Sequence, residues 1–186
     1  MSEKKKIKSY LETLCSKIIP DEKTLNKIIN IKNIIIRAKK EKSRVLIFGN
    51  GGSAAIASHV SVDLTKNVKV KAMNFNEADL ITCFSNDYGY KKWIEKAIEF
   101  YAEKGDIVIL ISSSGKSQNM LYACKAARKK KTSKIITFTG NKRNNPLSKL
   151  GDINLWVDSN IYNLIENTHQ IWLLSICDLI KINKMS

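Results

Sequence analysis

With 186 residues the chain is long enough to bury one well-formed core and hardly long enough for two. Hydrophobic residues make up 44% of it, which excludes a disordered polymer, and no apolar run approaches the length that spans a bilayer. The net charge of +15, from 32 Lys and Arg against 17 Asp and Glu, reads as a solvated basic surface. It is Lys-rich along helices such as the one carrying Lys125, Lys129, Lys130 and Lys131, and no basic stripe interleaved with aromatics marks a nucleic-acid site.

The N-terminal Met1-Ser2-Glu3-Lys4-Lys5-Lys6 has no apolar stretch behind it, so no secretion signal is read and a cytoplasmic location is expected. Residues 4–19 have the spacing of an amphipathic helix, with Ile7, Leu11, Leu14 and Ile18 in register. Pro20 breaks it, and Asp21 caps a second helix over about 22–41. Strands then alternate with helices: strand 44–48, helix 53–66, strand 68–73, helix 77–84, a loop at Asn86-Asp87-Tyr88-Gly89 and helix 91–103. Strand 106–111, helix 117–130, strand 134–139, a short helix near 146–150, strand 152–157 and an apolar helix over about 161–182 follow. The alternation predicts an α/β fold with a parallel sheet, and the continuously apolar strands Val45–Phe48 and Ile107–Ile111 predict that both sheet faces are covered. No linker or repeat divides the chain, so it reads as one domain behind a two-helix N-terminal extension. Cys15, Cys83, Cys124 and Cys177 are scattered, without a CxxC pair, and read as free buried thiols.

Two loops carry the functional signal. Gly49-Asn50-Gly51-Gly52-Ser53 follows the first strand, and Ser112-Ser113-Ser114-Gly115-Lys116-Ser117 follows the third; each opens a helix. Amide groups at a helix start, close backbone approach at glycine and added hydroxyl donors together make a phosphate site. Ligands of parallel sheets bind at such strand ends. The first loop is G-x-G-G-S rather than G-x-G-x-x-G, with no acidic residue at the end of the next strand, which argues against a nicotinamide cofactor. The second lacks the spacing of a nucleotide-hydrolysing P-loop. A small phosphorylated molecule remains.

His59 and Asp63 stand four apart on the helix after the first loop, and Glu166 and His169 three apart on the last helix, so each pair shares a face. Such N,O sets suit zinc or another divalent ion, or acid–base chemistry on a sugar; they equally suit polar residues bonded locally or facing water.

Taken together, Gly49–Ala55 (GNGGSAA), His59, Asn86–Tyr90 (NDYGY), the serine loop followed by Asn119, and Thr137–Asn141 (TFTGN) resemble the sugar isomerase (SIS) fold and, more narrowly, the phosphoheptose isomerase family. The resemblance spans nearly the whole chain. It implies a flavodoxin-like three-layer sandwich on a five-stranded parallel sheet, a single SIS domain over 1–186 with residues 1–42 as a helical extension. It also implies a homotetramer and a role in heptose biosynthesis, interconverting sedoheptulose 7-phosphate and D-glycero-D-manno-heptose 7-phosphate, often with zinc. It assigns the phosphate to Ser112, Ser113, Ser114 and Ser117, and sugar contacts to Asn50, Gly51, Gly52, Asn86 and Asp87, with Ser53 of the first loop beside them. The family's HxxxE becomes His59 to Asp63, its last-helix Gln becomes Glu166, and its final His becomes Leu174. The expected catalytic residues are therefore Asp63 and Glu166, with Glu166 also touching substrate. A zinc or other divalent ion is expected on His59, Asp63 and Glu166, held weakly because Leu174 removes a ligand. The second functional reading is a scaffold that binds phosphosugar or protein without turnover, similar to the replication-initiator-associating proteins of the same fold.

Overall fold

The computed structural model describes residues 1–182. Helix α1 (Glu3–Ile18) starts at Ser2, whose hydroxyl accepts from the Lys5 amide, and stops ahead of Pro20. Helix α2 (Glu22–Glu41) starts at Asp21, whose carboxylate accepts from the Thr24 amide at 2.7 Å, a cap that stabilises a helix by about 1 kcal/mol. Its buried residues Ile28, Ile31, Ile35 and Ala38 recur at helical spacing. The chain then alternates as its apolar pattern predicts: β1 (Val45–Phe48), α3 (Gly52–Asp63), β2 (Ala72–Asn74), α4 (Ala78–Tyr88), α5 (Trp93–Tyr101), β3 (Ile107–Ser112), α6 (Gln118–Lys129), β4 (Lys134–Thr139), β5 (Ile153–Trp156) and α7 (Tyr162–Ile182).

All strand pairs are parallel, in the order β2-β1-β3-β4-β5. Successive side chains of a strand point to opposite faces, so the sheet feeds two cores. Val45, Ile47, Ile107, Ile109, Ile136 and Phe138 meet α2, α3 and α7. Leu46, Phe48, Val108, Leu110 and Ile135 meet α5 and α6. This is the expected three-layer sandwich. At the amino ends of β1 and β3 a nearly buried ion pair locks the strands in register. Arg44 Nη2 lies 2.7 Å from Asp106 Oδ2, and the same carboxylate accepts from the amides of Arg44 and Glu103. Among the described residues no helix is long and apolar enough to cross a membrane.

Three expectations are corrected. The Asn86-Asp87-Tyr88 stretch is not a loop: α4 continues through Tyr88 and ends at Gly89, whose φ of +83° breaks the helix. The second strand is shorter than 68–73, because residues 64–68 close as a π-helical turn that ends at Lys69 in the left-handed region. Cys15 and Cys83 are exposed; α1 buries no residue of its own, and Cys83 sits on the outer face of α4. Cys124 and Cys177 are the buried thiols, and burial pushes both up to about 12.

Candidate active site

The order of the sheet places β1 and β3 side by side with their crossovers leaving in opposite directions, so the loops at their carboxyl ends face each other across a crevice. After β1, a side chain at Gly49 would collide with the backbone of Ser53 and Ala54, and Gly51 takes φ +54° at the start of α3. The chain therefore turns sharply into α3, where the Ser53 and Ala54 amides donate to the Asn50 and Gly51 carbonyls at 3.1 and 3.0 Å. After β3, Ser112 and Ser113 are buried and Gly115 turns at φ +62°. The Ser113 carbonyl accepts from the Gly140 amide at 2.9 Å and from Asn141 Nδ2 at 3.2 Å, which ties this loop to the end of β4. Ser117 occupies the cap position of α6 but makes no capping hydrogen bond, so its hydroxyl is available to a ligand.

The two loops are joined across the crevice. Asn50 and Asn119 exchange amide hydrogen bonds, Nδ2 to Oδ1, at 3.1 and 3.0 Å. Tyr90 donates its hydroxyl to Asn50 Oδ1 at 3.1 Å, so the segment after α4 closes on the same clamp. From the other side α7 brings Glu166. Its Oε1 accepts long hydrogen bonds from Ser53 at 3.5 Å and Ser113 at 3.4 Å, one from each loop. These groups enclose a cavity of about 100 Å³ lined by Asn50, Ser53, Ser112, Ser113, Ser114, Ser117, Tyr162 and Glu166. Small-molecule pockets run to several hundred Å³. A space of this size accommodates only a group as small as a phosphoryl.

Of the residues singled out in the sequence, Asn50, Ser53, Ser112, Ser113, Ser114, Ser117 and Glu166 meet at this cavity. Gly51 and Gly52 open α3 beside it, with the Glu166 carboxylate packed on Gly52. Asn86 and Asp87 do not line it; they lie exposed on the last turn of α4, where Asn86 donates to Asp87 at 3.0 Å. The segment reaches the site through Tyr90 instead. Tyr90, Asn119 and Tyr162 were missed as site residues. For Asn119 the signal was present, as a polar residue two positions into a helix that opens on a serine loop.

His59 and Asp63 lie further along α3, seven and eleven residues beyond Gly52, which is about 10 and 16 Å along a helix rising 1.5 Å per residue. His59 Nε2 stands 4.0 Å from Asp63 Oδ2, and its Nδ1 pairs with Gln170 of α7 at 3.3 Å. Asp63 also accepts from Asn67 at 3.0 Å. With Glu166 held by its serines a turn away from Gln170, no three His, Cys, Asp or Glu side chains gather among the described residues. The expected set of His59, Asp63 and Glu166 thus does not fit a three-ligand metal centre within one chain. His169 turns away from Glu166 into the core, edge-on to Phe138, with Nε2 donating to the Thr139 carbonyl at 3.1 Å. Burial lowers its pKa from 6.5 to about 4, against a smaller opposing pull from that carbonyl, and Nδ1 has no partner.

The family described as SIS domain matches residues 8–140. A phosphoheptose isomerase of Aliarcobacter butzleri is 33% identical over 182 residues, covering 95% of this chain and 94% of its own. Another, of Thermodesulfovibrio yellowstonii, is 34% identical over 181 residues, covering 94% and 89%. Among solved structures, a phosphoheptose isomerase from Francisella tularensis superposes with a TM-score of 0.86 at 28% identity, over 97% of this chain and 98% of that one. One from Neisseria gonorrhoeae gives a TM-score of 0.88 at 23% identity, over 96% and 99%, which speaks for the fold.

Proposed function

Because the chain belongs to the SIS domain family and to its phosphoheptose isomerases, we propose that it isomerises a sugar phosphate, interconverting sedoheptulose 7-phosphate and D-glycero-D-manno-heptose 7-phosphate or a closely related ketose and aldose pair. The observation that carries this reading is the meeting of Ser53, Ser113 and Glu166 from three elements in one small cavity at the crevice. The serine hydroxyls and the starts of α3 and α6 hold the phosphoryl group, where the helix dipoles favour negative charge.

A cavity that takes only the phosphoryl end sends the carbon chain outward. Along the packed α3 and α7 the chain offers Glu166, then Gln170 with His59, then Asp63, in that order from the serine loops. In this reading Glu166 accepts from sugar hydroxyls next to the phosphate and orients the carbon chain. The carbonyl end lies by His59 and Asp63. Aldose–ketose exchange removes a proton from C1 of the ketose to give an enediol and returns one to C2. Asp63 takes and returns that proton, and His59 exchanges protons with the oxygens. A divalent ion would find two donors in this chain, His59 and Asp63, which supports weak, exchangeable association rather than a resident centre.

The protein works as one SIS domain over 1–186 with residues 1–42 as its helical extension, and as a homotetramer. A phosphorylated substrate, an anion that does not cross a bilayer unaided, supports a cytoplasmic location. One observation favours a second reading: Leu174 is apolar where the family carries a titratable His. That reading is a binding scaffold without turnover.

The deciding experiment incubates the pure protein with ketose 7-, 6- and 5-phosphates, with and without zinc, and follows aldose formation by NMR. Turnover of a ketose phosphate that Asp63→Asn abolishes is the expected result. Binding of the same compounds with no aldose formed under any condition establishes the scaffold in its place.

A further inference from the structure

A second cleft, of about 500 Å³, opens where the corner between α1 and α2 meets the loop after β4 and the end of β5. It shares no lining residue with the cavity at the serine loops. Its volume is in the range of small-molecule sites. Lys17, Lys23 and Lys27 face it from the helical corner, and Arg143 and Lys149 from the loop. Against these five cations stand two carboxylates, Asp21 and Asp158. Asp21 is already engaged in capping α2 through the Thr24 amide. None of the five cations forms a salt bridge among the described residues.

Two of the cations are held in place. Lys27 is half-buried and donates to the Asn154 carbonyl at 2.8 Å, which leaves two of its three ammonium donors for another acceptor. Burial, and then repulsion from Lys23 and Arg143, keeps this ammonium below its ordinary pKa. The Arg143 guanidinium lies 5.4 Å over the Trp156 ring, and Trp156 is fixed in turn by its indole N–H on the Asn141 carbonyl at 3.1 Å. Stacking orients the guanidinium fork while leaving its N–H groups unspent. Immobile donors gain more from an anion than mobile surface lysines do, because less side-chain entropy is lost on binding.

We propose that this cleft is a second anion site, separate from the phosphosugar site, that takes a small molecule carrying a diphosphate, held by Lys23, Lys27 and Arg143 beside the Trp156 wall. The same chemistry is found in inorganic pyrophosphate and in a nucleoside diphosphate, and the two are separated by titrating each.

The test is calorimetry of the native protein at physiological salt with sodium pyrophosphate and, separately, with ADP. Saturable binding of either is expected. Tighter binding of ADP assigns a nucleotide, and equal affinities assign the diphosphate group alone; both support the site. Lys27→Met with Arg143→Gln is expected to weaken binding at least tenfold. Lys23→Ala, at an exposed position that leaves folding intact, should weaken it a few-fold. Ser113→Ala with Ser117→Ala should leave it unchanged. The proposal is overturned if neither compound binds, if the serine variant loses the affinity instead, or if Lys125→Gln with Lys129→Gln on α6 costs as much as the cleft variants. The last result would reduce the effect to general surface charge.

Discussion

The carboxylate of Glu166 fills the space that a side chain on Gly52 would need. At Gly49, three residues earlier, the same space is filled by the backbone of Ser53 and Ala54. A flexible carboxylate moves aside and a backbone does not, so two alanine substitutions in one loop should fail differently. Gly49→Ala is expected to destabilise the fold by about 1–3 kcal/mol, the usual cost of overpacking. Gly52→Ala should melt near the native temperature and lose most of its turnover, because Glu166 is displaced from Ser53 and Ser113. Thermal melts beside the isomerase assay check this; equal destabilisation by the two substitutions would contradict the yielding role given to Glu166.

The hydroxyls of Ser113 and Ser117 are offered to a ligand from a buried loop and from a helix start without a capping bond. Replacing both by alanine should weaken binding of a phosphosugar by about 1–3 kcal/mol, the range for charged hydrogen bonds. Calorimetry that returns the native affinity for every phosphosugar bound would remove the phosphate from this loop.

Acid should reveal His169. Its pKa is about 4 in the fold against 6.5 as the ordinary value, so the unfolded chain binds the proton more readily. The neutral ring contributes fully above pH 6.5, and stability is lost as pH falls from there toward 4, by about 3 kcal/mol for a fully buried group. His169→Gln keeps a donor for the Thr139 carbonyl but does not titrate. Denaturant unfolding at pH 7 and pH 4 should show the native protein losing about 3 kcal/mol more than this variant. Equal losses would mean that the ring is hydrated in the folded protein.

Helix α1 leaves Ile7 and Leu11 more than half exposed, and Val62 stands equally open on α3. Surfaces of this kind are expected to close against further copies of the chain. Light scattering should give four times the chain mass of 21.1 kDa. Ile7→Glu with Leu11→Glu should shift the protein to smaller species. A native mass of one chain at micromolar concentration would refute the assembly.

The strands legible in the sequence are those buried on both faces. In Val45–Phe48 and Ile107–Ile111 every residue is apolar, and periodicity has nothing to compete with. The glycine and serine loops were equally legible, because φ-positive glycines and hydroxyls act locally. Less visible was whatever depends on tertiary partners. The Asn86-Asp87 turn signal gave way to helical continuation as far as Gly89, where the backbone does turn. Glu166 was recognised as a site residue, but its separation from His59 and Asp63 is set by the packing of α7 on α3, which no spacing along one helix encodes. Tyr90 and Asn119 matter because they converge on Asn50 from distant parts of the chain.

That convergence also governs how the protein ages. An asparagine followed by glycine, as in Asn50-Gly51, is prone to deamidation, in which the glycine nitrogen attacks the side-chain carbonyl and ammonia leaves. Here the side chain of Asn50 is engaged by Asn119 and Tyr90, so cyclisation must first break three hydrogen bonds. Once formed, an aspartate at this position would set a negative charge against the Asn119 carbonyl oxygen and remove one of the two bonds that join Asn50 to Asn119. Chemical wear at one residue would then weaken the clamp across the crevice while leaving both cores intact.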